Sequence, residues 1–79
     1  MDWKDHIVAT ADTCVGKPRI KGTRITVELV LDYLAVGKTE AEIIGAYPHI
    51  TVEQVRAAVA FAASRVARET TLSGFEAAA

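Results

Sequence analysis

The chain is expected to be mostly α-helical, with three helices preceded by a short β-strand or hairpin. Three observations lead there. Thr39 and Thr51 stand three residues ahead of Glu42 and Gln54, and each pair has the capping-box signature of a helix start. Val27, Val30, Leu31 and Leu34 recur at helical spacing and form one apolar stripe. Ahead of them runs Gly16-Lys17-Pro18-Arg19-Ile20-Lys21-Gly22-Thr23-Arg24-Ile25, which carries four basic side chains, no acidic one, and turn-forming glycine and proline.

The segment from Asp5 to Thr10 is short and contains β-branched residues, with Ile7 and Ala9 on one face if extended. A lone strand needs a partner. Residues 18–25 are the nearest candidate, within the chain or from a second copy, and mixed pairing in a dimer is expected. Thr10-Ala11-Asp12-Thr13 reads as a turn between them. Ile20 and Ile25 should anchor the basic arm to a core.

Thr26 is placed to cap the first helix, with Glu28 near the positive end of its dipole. Gly37 sits where a left-handed C-terminal cap is expected. The second helix runs from Glu40 to about Ala46, with Ile43 and Ile44 inward. Pro48 disfavours the α region at Tyr47 and so ends it, leaving Tyr47 to Ile50 as a tight turn.

The third helix spans roughly Val52 to Arg68. Val52, Val55, Val59, Ala62 and Val66 make one stripe, and Ala57, Ala58, Ala60, Phe61 and Ala63 make its middle apolar nearly all round. A helix of that kind is buried on more than one side, and in a small chain the second side points to a partner. Ile7, Val59, Phe61 and Ala62 are therefore the candidate dimer interface. Residues 1–68 form one trihelical domain with an N-terminal strand and basic arm, and residues 69–79 a flexible tail. Leu72 and Phe75 in that tail are candidates for binding a partner protein, against the plainer reading of a frayed terminus.

At 79 residues the chain buries only about 60% of its unfolded surface, so oligomerisation would help it. The net charge of -1 hides a segregation: residues 13–24 carry +4, whereas residues 25–48 carry -3. A local field of this kind favours a polyanionic partner for the arm, although a solvated basic loop explains it equally well. Cys14 is the one cysteine, which excludes an intrachain disulfide and a cysteine zinc site. No apolar run reaches membrane-span length, and the N-terminus lacks the order of a signal peptide. A cytoplasmic setting is expected, with no membrane partner.

Capped helix, short helix, four-residue turn and longer helix is the spacing of a helix-turn-helix or homeodomain-like unit, though other three-helix bundles share it. The run from Gly16 to Ile25, then Val27-Glu28-Leu29-Val30, Glu42-Ile43-Ile44 with Tyr47-Pro48, and Val55-Arg56-Ala57-Ala58 with Phe61-Ala62 narrow the choice. Together they closely resemble the family called domain of unknown function 433, over about residues 5 to 63. That resemblance implies a homeodomain-like fold, often dimeric. It also implies a role as the antitoxin-like, VapB-like member of a bacterial type II toxin–antitoxin pair, whose partner is a PIN-like ribonuclease.

If the unit binds DNA, the third helix would enter the major groove by its N-terminal end, presenting Glu53, Gln54 and Arg56. Gln and Arg suit bidentate contact with adenine and guanine. Lys17, Arg19, Lys21 and Arg24 would contact phosphates, or reach a minor groove as a homeodomain arm does. The plainer readings are that Gln54 completes a capping box, Arg24 pairs with Glu28, Arg56 lies on a solvated face, and Arg65 and Arg68 favour the helix C-terminus. Catalysis is not expected. Cys14, His6 and His49 form no nucleophile–base pair by spacing, helix capping accounts for Glu40 and Glu42, and no cofactor or metal is implied. An antitoxin that represses its own promoter and a non-DNA-binding interaction module are the two readings carried forward.

Overall fold

Three threonines start the three helices by the same device. In a computed structural model that describes residues 2–68, Thr26 accepts from the backbone N–H of Leu29 ahead of α1, Val27–Ala35. Thr39 accepts from the N–H of Glu42 at 3.1 Å while the Glu42 carboxylate accepts from the N–H of Thr39 at 2.8 Å, opening α2, Glu40–Ala46. Thr51 and Gln54 exchange the equivalent pair, 2.9 and 3.2 Å, ahead of α3, Val52–Arg68. Each box satisfies two backbone groups that a helix end leaves open.

The ends are equally local. Gly37 takes φ +95° and lets the chain turn back after α1. The N–H of Lys38 then donates to the Tyr33 carbonyl and that of Gly37 to the Leu34 carbonyl, both at 3.0 Å, the two bonds of a Schellman cap. Tyr47 leaves the helical region at φ -130°, ψ 75°, because the Pro48 ring disfavours α there.

Ahead of the helices, β1 (Ile7–Val8) and β2 (Arg19–Ile20) pair antiparallel, Ile7 opposite Ile20 and Val8 opposite Arg19. Of the two pairings the sequence leaves open, the one within the chain is found, in place of the expected mixed pairing between copies. The strand is also shorter than expected. Trp3–Asp5 forms a 3-10 turn, with Asp2 accepting from the N–H of Lys4 at 3.0 Å. Beyond β2 the chain doubles back. Ile20 N–H donates to the Ile25 carbonyl at 2.9 Å and Val27 N–H to the Pro18 carbonyl at 3.0 Å, so β2 lies between β1 and the entry to α1.

The core consists of Ile7, Ile20, Ile25, Val27, Val30, Ile43, Ile50, Val55, Ala57 and Ala58, all nearly or fully buried. Ile20 and Ile25 thus anchor the basic segment, as their apolar character requires. Two expectations for α3 and the dimer change. Ile7 is only 7% exposed and is taken up by the chain's own core, which leaves little of its side chain to meet a partner. The stripe from Val52 to Val66 divides: Val55 is buried and Ala62 packs on the core, whereas Val52, Val59 and Val66 face water. Alanines explain this, since Ala57 and Ala58 let α3 approach its neighbours on a face that the larger valines do not occupy. Phe61 lies on the inner side too, meeting the Trp3 ring edge-on with centroids 4.9 Å apart. Leu72, Phe75 and the tail lie outside the described residues.

Candidate nucleic-acid interface

The basic segment is a folded hairpin and not a free arm. Its tip, Lys21 to Arg24, turns at Gly22, whose φ of +81° is open to glycine at no steric cost. Thr23 closes the turn twice: its hydroxyl donates to the Ile20 carbonyl at 2.8 Å and accepts from the N–H of Ile25 at 3.0 Å. On the far side, Lys21 N–H donates to the His6 carbonyl at 2.7 Å. These bonds hold Lys21 and Arg24 on a rigid backbone with both side chains in water.

The four basic residues divide into two kinds. Lys17 Nζ reaches Glu28 Oε1 at 2.8 Å, which raises the lysine pKa and lowers that of the carboxylate through hydrogen bond and charge together. The expected Arg24–Glu28 pair is therefore replaced by Lys17–Glu28. Arg19 donates through Nη1 to the Thr10 hydroxyl at 3.0 Å. Among the described residues, Lys21 and Arg24 have no hydrogen-bond or ion-pair partner through their side chains. They are the cations immediately available to a phosphate.

At the start of α3 the candidate base readers are engaged. Gln54 Oε1 accepts from the N–H of Thr51, as its place in the capping box predicts. Arg56 reaches back to α2 and holds Glu40 through two bonds, Nε to Oε2 at 2.8 Å and Nη2 to Oε1 at 3.1 Å. This pair escaped the sequence reading, which gave Glu40 a capping role alone. The only signal was opposite charge on two adjacent helices, and helix spacing within one element does not predict such a cross-element bond. Arg65 stands over the Phe61 ring, its guanidinium carbon 6.0 Å from the centroid, a cation–π contact, and with Arg68 it lies in the last turn of α3 where a cation meets the helix C-terminus favourably.

Before the hairpin, Cys14, Val15 and Gly16 form a short turn with φ of +54°, +56° and +78°. Val15 is 92% exposed. The Cys14 thiol donates to the Arg24 carbonyl at 3.6 Å, tying this turn to the hairpin tip. Cys14 is thus half-exposed and not the core residue its type leads one to expect. Among the described residues no pocket forms, no group of His, Cys, Asp or Glu is arranged to hold a metal, and no helix is long and apolar enough to cross a membrane.

What this arrangement offers is a three-helix unit of helix-turn-helix order with a cationic hairpin on its N-terminal side. The chain belongs to the family described as Protein of unknown function (DUF433), which it matches over residues 7–62. It is similar to the crystal structure of a DUF433 member from Anabaena variabilis, with a TM-score of 0.72 and 30% identity over 84% of this chain and 68% of that one. Among curated proteins none matches. The family match takes in the hairpin and α3 as far as Ala62, leaving the last turns of α3 outside it.

Proposed function

We propose that the chain is the antitoxin-like member of a bacterial toxin–antitoxin pair, a cytoplasmic binding protein and not a catalyst. It neutralises a PIN-like ribonuclease, with Leu72 and Phe75 in the contact, and as a homodimer it binds promoter DNA. The observation that carries the DNA half is the hairpin tip, where Lys21 and Arg24 stand without partners on a backbone fixed by hydrogen bonds. Cations carried on a fixed backbone can meet phosphates without the cost of ordering the chain that carries them. Support for the toxin half comes from the antitoxin-like role that the resemblance implies for this family.

In this reading phosphate contact lies with the hairpin, and α3 contributes Arg56 only when Glu40 releases it. Two cations per protomer make a weak, salt-sensitive contact, and a dimer doubles it.

A second reading, an interaction module that binds no DNA, is favoured by the engagement of both Gln54 and Arg56. Coexpression with the product of the neighbouring gene, pull-down, and size exclusion with and without upstream DNA separate the two. A complex that shifts the DNA supports both halves. A complex without a shift removes repression, and a homodimer that binds neither removes the antitoxin reading.

A further inference from the structure

The β1–β2 ribbon has two sides, and only one faces the core. Ile7 and Ile20 stand opposite each other and are buried, with α3 packed against both strands. Side chains alternate across a strand, so their neighbours Val8 and Arg19, also directly paired, point the other way. The pairing continues one step further, where the N–H of Lys21 donates to the His6 carbonyl at 2.7 Å. His6, Val8, Arg19 and Lys21 therefore share the outer side of the ribbon. The first three are partly exposed there and Lys21 is exposed.

Side chains opposite each other stand about 5 Å apart at Cβ and successive rows about 7 Å apart, so the four make one shallow face. It carries two permanent cations, one imidazole and no carboxylate, and Val8 is its apolar member. Arg19 uses Nη1 on the Thr10 hydroxyl, and among the described residues its other nitrogens have no partner. Asp12 acts on Arg19 from the adjoining turn and is itself held by the Thr10 and Thr13 hydroxyls. The positive field is therefore strongest at the Lys21 end, where the hairpin tip runs on to Arg24.

We propose that this outer side of the ribbon is the surface laid against the phosphates of duplex DNA, with His6 and Arg19 as contact residues beside Lys21. A cationic face of this kind is complementary to a polyanion. DNA is the polyanion of the functional reading above, on which this inference rests. Phosphate contact from a strand ladder positions the protein on the duplex without reading its sequence.

The test adds charge at the apolar member of the face. Val8→Lys and Val8→Glu in the full chain, checked for folding by circular dichroism, are titrated by fluorescence anisotropy against a random-sequence DNA duplex at several salt concentrations. Val8→Lys is expected to tighten binding and to steepen the slope of log affinity against log salt by about 1 per protomer. Val8→Glu is expected to weaken binding. Val59→Lys, on the exposed face of α3, controls for net charge and is expected to change the slope less. A folded Val8→Lys that binds as the parent does overturns the proposal, and so does an equal gain from Val59→Lys. A parent chain that binds no duplex at low salt overturns it too, as does one that prefers an RNA duplex of the same length or binds polyglutamate as tightly as DNA. Upstream DNA separates this result from the functional reading. Val8 effects on random duplex, with no preference for upstream DNA, keep the ribbon surface and remove promoter recognition. Upstream binding that is indifferent to Val8 keeps promoter recognition and removes the ribbon surface.

Discussion

Arg56 and Glu40 join α3 to α2 by a two-pronged bond, Nε to Oε2 at 2.8 Å and Nη2 to Oε1 at 3.1 Å. The planar guanidinium matches the carboxylate edge to edge. The contact sits where a reader of bases would be presented if the unit docked as a helix-turn-helix, so one side chain has two competing uses. The bond lies near the surface, with the Arg56 side chain 62% exposed, and water screens it. A nucleic-acid phosphate or a guanine edge could compete with Glu40 for the guanidinium.

That competition predicts a particular pattern of DNA affinity. Arg56→Ala in the parent chain should change affinity for upstream DNA by no more than about twofold, because the locked guanidinium contributes little. Glu40→Gln should raise affinity, and Glu40→Gln with Arg56→Ala should bring it back. Fluorescence anisotropy on all four proteins completes the cycle. A large loss on Arg56→Ala alone would show that DNA already displaces Glu40.

For the hairpin the expectation concerns salt. If Lys21 and Arg24 each neutralise one phosphate, replacing both by Ala should reduce the slope of log affinity against log salt by roughly 2 per protomer. Lys17→Ala should reduce it by less, since Lys17 is shared with Glu28. Titrations at several salt concentrations read the slope directly. An unchanged slope in the double variant would move phosphate binding away from the hairpin tip.

Acid should weaken the fold in a definable window. Glu28, Glu40 and Glu42 all have pKa values below their ordinary 4.5, held down first by the Lys17 hydrogen bond, the Arg56 hydrogen bond and the Thr39 backbone N–H respectively. Asp12 lies below its ordinary 3.8, chiefly through the Thr10 hydroxyl. A depressed carboxylate stabilises the fold fully above its unfolded pKa, and the contribution disappears as pH falls through the folded value. The melting temperature should therefore hold near neutrality and fall below pH 4.5. Glu42→Gln should flatten that fall, since its carboxamide keeps the capping-box acceptor without titrating. Thermal melts across the range check this, and a fall that begins well above the carboxylate range would point to another group.

The sequence made the helices legible because their signals are local. Thr39 with Glu42, Thr51 with Gln54, Gly37 and Pro48 each act within a few residues, and each sets a boundary the structure keeps. The folding of the basic segment onto itself was harder to see. It depends on Ile20 meeting both Ile7 and Ile25, a choice between intrachain and interchain pairing that β propensity does not make. The division of the α3 stripe was hidden for a related reason. Periodicity gives the direction of an apolar face, but here Ala57 and Ala58 are buried while three larger valines remain outside. How closely two backbones approach is a tertiary property. The Lys17–Glu28 and Arg56–Glu40 pairs belong to the same class, because residues far apart in sequence meet only once the elements have packed.

Val15 stands in a backbone region that a β-branched residue seldom occupies, at φ +56°, ψ 34°. The left-handed conformation costs an L-residue about 1–2 kcal/mol. A buried side chain could offset that cost, but this one is 92% exposed. Glycine would relieve the strain and would add about 0.5–1 kcal/mol of unfolded-chain entropy against folding. Val15→Gly should therefore raise stability by about 0.5–1 kcal/mol, seen as a higher urea midpoint with an unchanged slope. Val15→Ala should fall between the two, since it removes the β-branch and keeps the Cβ clash. A lower midpoint for the glycine variant would mean that the valine contributes a contact strong enough to outweigh its own backbone. Measured beside stability, binding by Val15→Gly gives the second half of the answer. A variant that is more stable yet binds the nuclease or DNA less well would assign the strained turn, and the exposed methyl groups it carries, to a partner contact.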